Sequence, residues 1–119
     1  MDLVLPGGAS LFGSSDYMGS TNTAHPNATE DDLINALAAM ERGDIEFVIL
    51  SDNESKMFMQ TTGSPAEGYY LEYNDGTDDS MFRVRGDTLS GIQITDALTA
   101  FLNRDAAWRT MFVWERFTY

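Results

Sequence analysis

Between Ile45 and Arg85 the chain alternates strand-like runs with turns too short to hold a helix. "IEFVIL" (45–50) is almost wholly apolar and rich in branched residues, which fits a central, well-buried strand. "KMFMQTT" (56–62), "YYLEY" (69–73) and "MFRVR" (81–85) follow, separated by "SDNES", "GSPAEG" and "NDGTDDS". Parallel neighbours need a crossover of a dozen residues or more, so these spacings demand an antiparallel meander. Asp75-Gly76 marks a hairpin turn inside the third connection.

Two helices frame the meander. Thr29 reads as an N-cap, with Asp32 placed to complete a capping box. Glu30, Asp31 and Asp32 suit the positive end of a helix dipole. Leu33, Ile34, Leu37, Ala38 and Met40 fall at helical spacing, and Gly43 is a natural stop, so the first helix is predicted over about 30–42. In "LSGIQITDALTAFLNRD", Ser90 and Gln93 form a second capping box, and Ile94, Leu98, Phe101 and Leu102 make one apolar face. A last strand is expected over 110–117, with Phe112, Trp114 and Arg116 on one side and Met111, Val113 and Glu115 on the other. Trp108 and Trp114 are read as core.

The predicted fold is α+β: a helix, a four-stranded antiparallel meander, a second helix, and a C-terminal strand that returns to the sheet. The 119 residues suit one such domain, assigned to 29–119. Residues 1–28 read as a flexible or loop-rich segment, rich in Gly, Ser, Thr and Asn, with a brief strand at Asp2–Leu5.

Charge narrows the function. Nineteen acids against seven bases give a net charge of -12, which repels nucleic acid and anionic membrane and favours a basic partner. From Thr29 to Ser55, eight acids face Arg42 alone, so this region holds most of the negative field. There is no cysteine, hence no disulfide, thiolate nucleophile or cysteine-ligated zinc. No apolar run reaches the roughly 20 residues that span a bilayer, and "MDLVLPGG" lacks a cationic signal-peptide start. The expected location is the cytoplasm.

Catalytic and cofactor chemistry finds little to work with. His25, the lone histidine, stands in the polar "TAHPN" with no carboxylate arranged to orient it. Glu46 and Glu72 resemble a carboxylate pair but are expected on the solvent face of strands. The turns holding Asp52 and Glu54, and Asp75, Asp78 and Asp79, lack the ligand order of a calcium loop. "GGASLFGSS" lacks the Gly-Lys-Ser/Thr end of a phosphate loop. No catalytic, cofactor or metal residue is therefore assigned.

What remains is binding through an acidic surface, which speeds association with a cationic target by long-range steering. The assigned contacts are Glu30, Asp31 and Asp32 at a helix start, Asp52 and Glu54 in one turn, and Asp75, Asp78 and Asp79 in another. Tyr69 and Tyr73 are added as aromatic anchors, because interface hot spots favour tyrosine.

"GYYLEYNDG", a further strand, and then "LSGIQITDALTAFLNRDAAWRTMFVWERF" resemble the small immunity proteins of bacterial polymorphic toxin systems, of the type associated with deaminase toxins. The likeness rests on Tyr70, Glu72, Tyr73, Asp75 and Gly76, on Phe101 and Leu102, and on Trp114 and Glu115, and covers about residues 30–117. It implies a non-catalytic protein that binds and blocks a cognate toxin domain. Two rival readings stand beside it. One is an acidic DNA mimic from a phage or mobile element, with carboxylates along one continuous face. The other is a small-ligand-binding domain, with a deep pocket and convergent polar groups.

Overall fold

The computed structural model describes residues 1–6, 23–77, 80–86 and 88–118. The expected loop-rich character of 7–22 and the assigned contacts Asp78 and Asp79 lie outside these residues. The elements in chain order are β1 (Asp2–Leu5), β2 (Thr23–His25), α1 (Glu30–Glu41), β3 (Phe47–Ser51), β4 (Phe58–Ser64) and β5 (Gly68–Asn74), then β6 (Met81–Val84), α2 (Gly91–Leu102), α3 (Trp108–Met111) and β7 (Trp114–Phe117). The strands form one sheet in the order β2-β1-β3-β4-β5-β6-β7, and every neighbouring pair is antiparallel.

The α+β class is as predicted, and the meander β3–β6 forms the middle of the sheet. The sheet is wider than expected. The brief strand at Asp2–Leu5 is present as β1, lies between β2 and β3, and sends Leu3 into the core. The fold therefore extends into the segment placed before residue 29.

Register decides which side chains are buried. Leu3, Leu50, Met59, Tyr73 and Phe82 face one another across five strands and share one face. Val48, Thr61 and Leu71 lie on that face one pleat further along. Both long helices cover it: Leu33, Ala36, Leu37 and Met40 of α1, and Ile94, Ala97, Leu98 and Phe101 of α2, join the same apolar cluster. Thr61 is accommodated because its hydroxyl donates to the Tyr70 carbonyl at 2.8 Å. Both capping boxes are formed, at Thr29/Asp32 and Ser90/Gln93. The Asn103 amide donates to Glu30 at 2.7 Å, which fixes the end of α2 beside the start of α1. The two helices are thus antiparallel.

The C-terminal stretch differs from expectation. Residues 108–111 form a short helix, and the strand is confined to Trp114–Phe117. A helical turn lets Trp108 drop into the core between Tyr73 and Phe101, with ring centroids 4.7 and 5.7 Å away. It leaves Met111 and Val113 exposed. Trp114 packs edge-on to Tyr73 at 4.7 Å and to Phe112 at 5.7 Å. The core reading of both tryptophans agrees with these contacts.

Candidate functional site

The ends of β3 and β5, the starts of β1, β4 and β6, the start of α1 and the end of α2 all meet at one end of the molecule. Antiparallel pairing puts Asp2 opposite Ser51, Ser51 opposite Phe58, Phe58 opposite Asn74, and Asn74 opposite Met81. The connections that begin at residues 52 and 75 therefore leave the sheet side by side, and Gly76 packs against the Ser55 carbonyl. Arg104, just past α2, reaches Asp52 and Glu54 on the first of these turns. Asn53 donates to Asp2 at 3.1 Å.

This brings together acidic segments that are far apart in sequence. Glu30, Asp31, Asp32, Asp52, Glu54 and Asp75 share this end. Their roles differ. Asp32 accepts the Thr29 N–H at 3.0 Å and so holds the capping box. Glu30 is tied to Asn103. Asp31 is exposed, and its carboxylate has no hydrogen bond among the described residues. The Glu54 carboxylate is exposed, and among the described residues it meets only Arg104, at 3.7 Å. Asp75 accepts from the Thr77 hydroxyl at 2.8 Å and the Thr77 N–H at 3.2 Å. Those bonds, the Thr77 hydroxyl above all, hold its carboxyl below the usual value against a smaller opposing effect of desolvation.

Asp52 requires a correction. It was assigned to the surface, but its residue is 5% exposed. Its carboxylate accepts from the Glu54 N–H at 3.0 Å, the Ser55 hydroxyl at 3.0 Å and both ends of the Arg104 guanidinium. Burial pushes its pKa up, yet these donors and the Arg104 charge outweigh burial, and it titrates below the ordinary carboxylate value. Asp52 organises the turn from within and offers little surface for contact.

Tyr69 and Tyr73 also need correcting as anchors. Both are on the helix-covered face, 5% and 7% exposed. Tyr73 stacks on Phe82 at 4.9 Å and is boxed in by both tryptophans. Burial raises both phenol pKa values. The outward tyrosine is Tyr70, 58% exposed, which was not assigned as a contact. Period-two alternation carried the signal: Leu71 must point inward, so Tyr69 and Tyr73 follow it and Tyr70 does not.

The remaining candidates are placed plainly. His25 is exposed on β2. Glu46 is exposed just before β3. Glu72 points to the helix-free face, opposite Arg83, and accepts from Gln60 at 2.6 Å. Arg83 donates to Glu115 at 3.2 Å across the next strand pair. Among the described residues no group of three or more histidine, aspartate or glutamate side chains is placed to hold a metal ion. Among them, too, no helix is long and apolar enough to cross a membrane. Between α1, α2 and the β4–β5 turn lies an open groove of about 610 Å³.

Compared with protein-family descriptions, curated proteins and solved structures, the chain finds no match.

Proposed function

We propose that this chain is an immunity protein: a non-catalytic binder that neutralises a cognate bacterial toxin domain by covering a basic surface on it. The observation that supports this reading most is the gathering of acidic segments 30–32, 52–54 and 75 at one end of the sheet. Internal bonds fix the backbone under them through Asn103–Glu30 and Arg104–Asp52. A preorganised acidic surface loses little conformational entropy on docking and speeds the encounter with a cationic partner. The net charge of -12 and the likeness to immunity proteins point the same way.

The test is growth of bacteria expressing the toxin domain encoded beside this gene. Co-expression of the wild-type chain restores growth. The double variant Asp31→Lys, Glu54→Lys fails to restore it while keeping its fold by circular dichroism. Failure of the wild type to protect refutes the immunity reading. Full protection by the double variant places the interface elsewhere.

A further inference from the structure

The groove between the helices has properties the acidic end lacks. Its walls are apolar side chains of α1 and α2, chiefly Leu37 and Ile94, with Tyr69 also lining it. Two residues on its margins are isoleucines left in water: Ile34 is 50% exposed and Ile92 75% exposed. Only Glu41 and Asp96 carry charge among the lining residues, one from each helix. The Tyr69 phenol makes no hydrogen bond among the described residues, although the residue is 5% exposed. Gly91 borders the Tyr69 ring, where a side-chain carbon would stand in ordinary contact at 3.7 Å.

We propose that this groove is a docking site for a cationic amphipathic helix of a protein partner, whose apolar residues cover Ile34 and Ile92 while its lysines or arginines meet Glu41 and Asp96. Helix-in-groove recognition needs an apolar channel with a polar rim and anchors spaced by one turn. Ile34 and Ala38, one turn apart on α1, and Ile92 on α2 supply the apolar walls, and Glu41 and Asp96 supply the polar rim.

Charge selects this occupant. A second copy of the chain would bring a second Glu41 and Asp96 into the same interface, between molecules that each carry -12. An anionic lipid surface is repelled for the same reason. A small apolar ligand would stay largely in water, because both isoleucines stand open. The proposal stands apart from the immunity reading, since the groove lies toward the end of α1 away from Asp52 and Asp75.

The probe is a fluorescein-labelled amphipathic helix of leucine and lysine about four turns long. Two controls accompany it: one with serine replacing leucine, and one with glutamate replacing lysine. Fluorescence anisotropy is expected to show binding of the leucine–lysine peptide alone, with amide shifts in a heteronuclear NMR spectrum confined to residues around Ile34, Tyr69 and Ile92. The double variant Ile34→Ser, Ile92→Ser is expected to bind it about tenfold more weakly or worse. Both positions are exposed, and an unchanged urea midpoint verifies the fold. Glu54→Gln, Asp75→Asn is expected to leave peptide binding unchanged. Equal binding of the serine–lysine control, or no loss in the isoleucine double variant, overturns the proposal. So does a dimer in sedimentation that the isoleucine changes dissolve. If instead the Glu54/Asp75 variant alone weakens the peptide, the groove assignment fails while the acidic-end reading survives.

Discussion

Replacing Asp52 with alanine should destabilise the fold, although this aspartate sits in an acidic turn that looks like surface. Its carboxylate is the common acceptor for the Glu54 N–H, the Ser55 hydroxyl and the Arg104 guanidinium. A neutral intramolecular hydrogen bond is worth about 1 kcal/mol net. The Arg104 side chain is 51% exposed, so solvent screens its charge and the pair ranks with surface ion pairs of up to about 1 kcal/mol. Water can reach the freed donors of the exposed Glu54 and Ser55, which lowers the cost. The expected loss is about 2–3 kcal/mol, or roughly a 10 °C drop in Tm for a chain of this size. Urea titration measures it, with the slope unchanged if the native and denatured ensembles keep their extent. The pH dependence has a definite sign. A carboxyl whose pKa is lowered by folding stabilises the protein above its unfolded value near 3.8 and loses that effect as pH falls through the lower folded value. The gap between wild type and Asp52→Ala should therefore be full at neutral pH and narrow below about pH 4. A loss under about 0.5 kcal/mol, or a gap independent of pH, refutes the internal role.

Other outcomes follow from packing and backbone geometry. Leu98→Ala, at a fully buried position on the core-facing side of α2, should cost about 2–5 kcal/mol in urea denaturation. Gly63 and Gly43 both have positive φ, at 127° and 84°. An added Cβ at Gly63 would strike the Gly68 carbonyl and the Tyr69 Cα, whereas at Gly43 it would meet nothing within 4 Å. Gly63→Ala should thus cost clearly more than Gly43→Ala, for which the left-handed backbone alone costs about 1 kcal/mol; equal melting temperatures would contradict the register of the β4–β5 hairpin.

Local chemistry made the middle of the fold legible in sequence. Thr29 with Asp32 and Ser90 with Gln93 announced both long helices, because a capping box needs only near neighbours. The runs from Phe47 to Val84 announced the meander, because their connections leave no room for a crossover. The edges were less legible. β2 is three exposed residues with no alternation to detect, and it exists because β1 offers it an unpaired edge. The short helix at Trp108–Met111 overrode the alternation of the C-terminal stretch, since burying Trp108 against Tyr73 and Phe101 outweighs strand propensity. At the candidate site, the charge and turn positions of Glu30, Asp31, Glu54 and Asp75 were legible, but their gathering at one end of the sheet depends on strand pairing. The burial of Asp52 was not, because it depends on Arg104, 52 residues away in the chain. The inward turn of Tyr69 and Tyr73 was legible, had Leu71 been used to set the face.

The most direct measurement is the association rate of this chain with a candidate toxin domain from a neighbouring gene, followed by stopped-flow fluorescence across a range of salt concentrations. The account predicts a one-to-one complex whose association rate falls steeply as salt rises, and falls again when Asp31 and Glu54 are reversed to lysine. A complex that forms at the same rate at every ionic strength, or no complex at all, would contradict it.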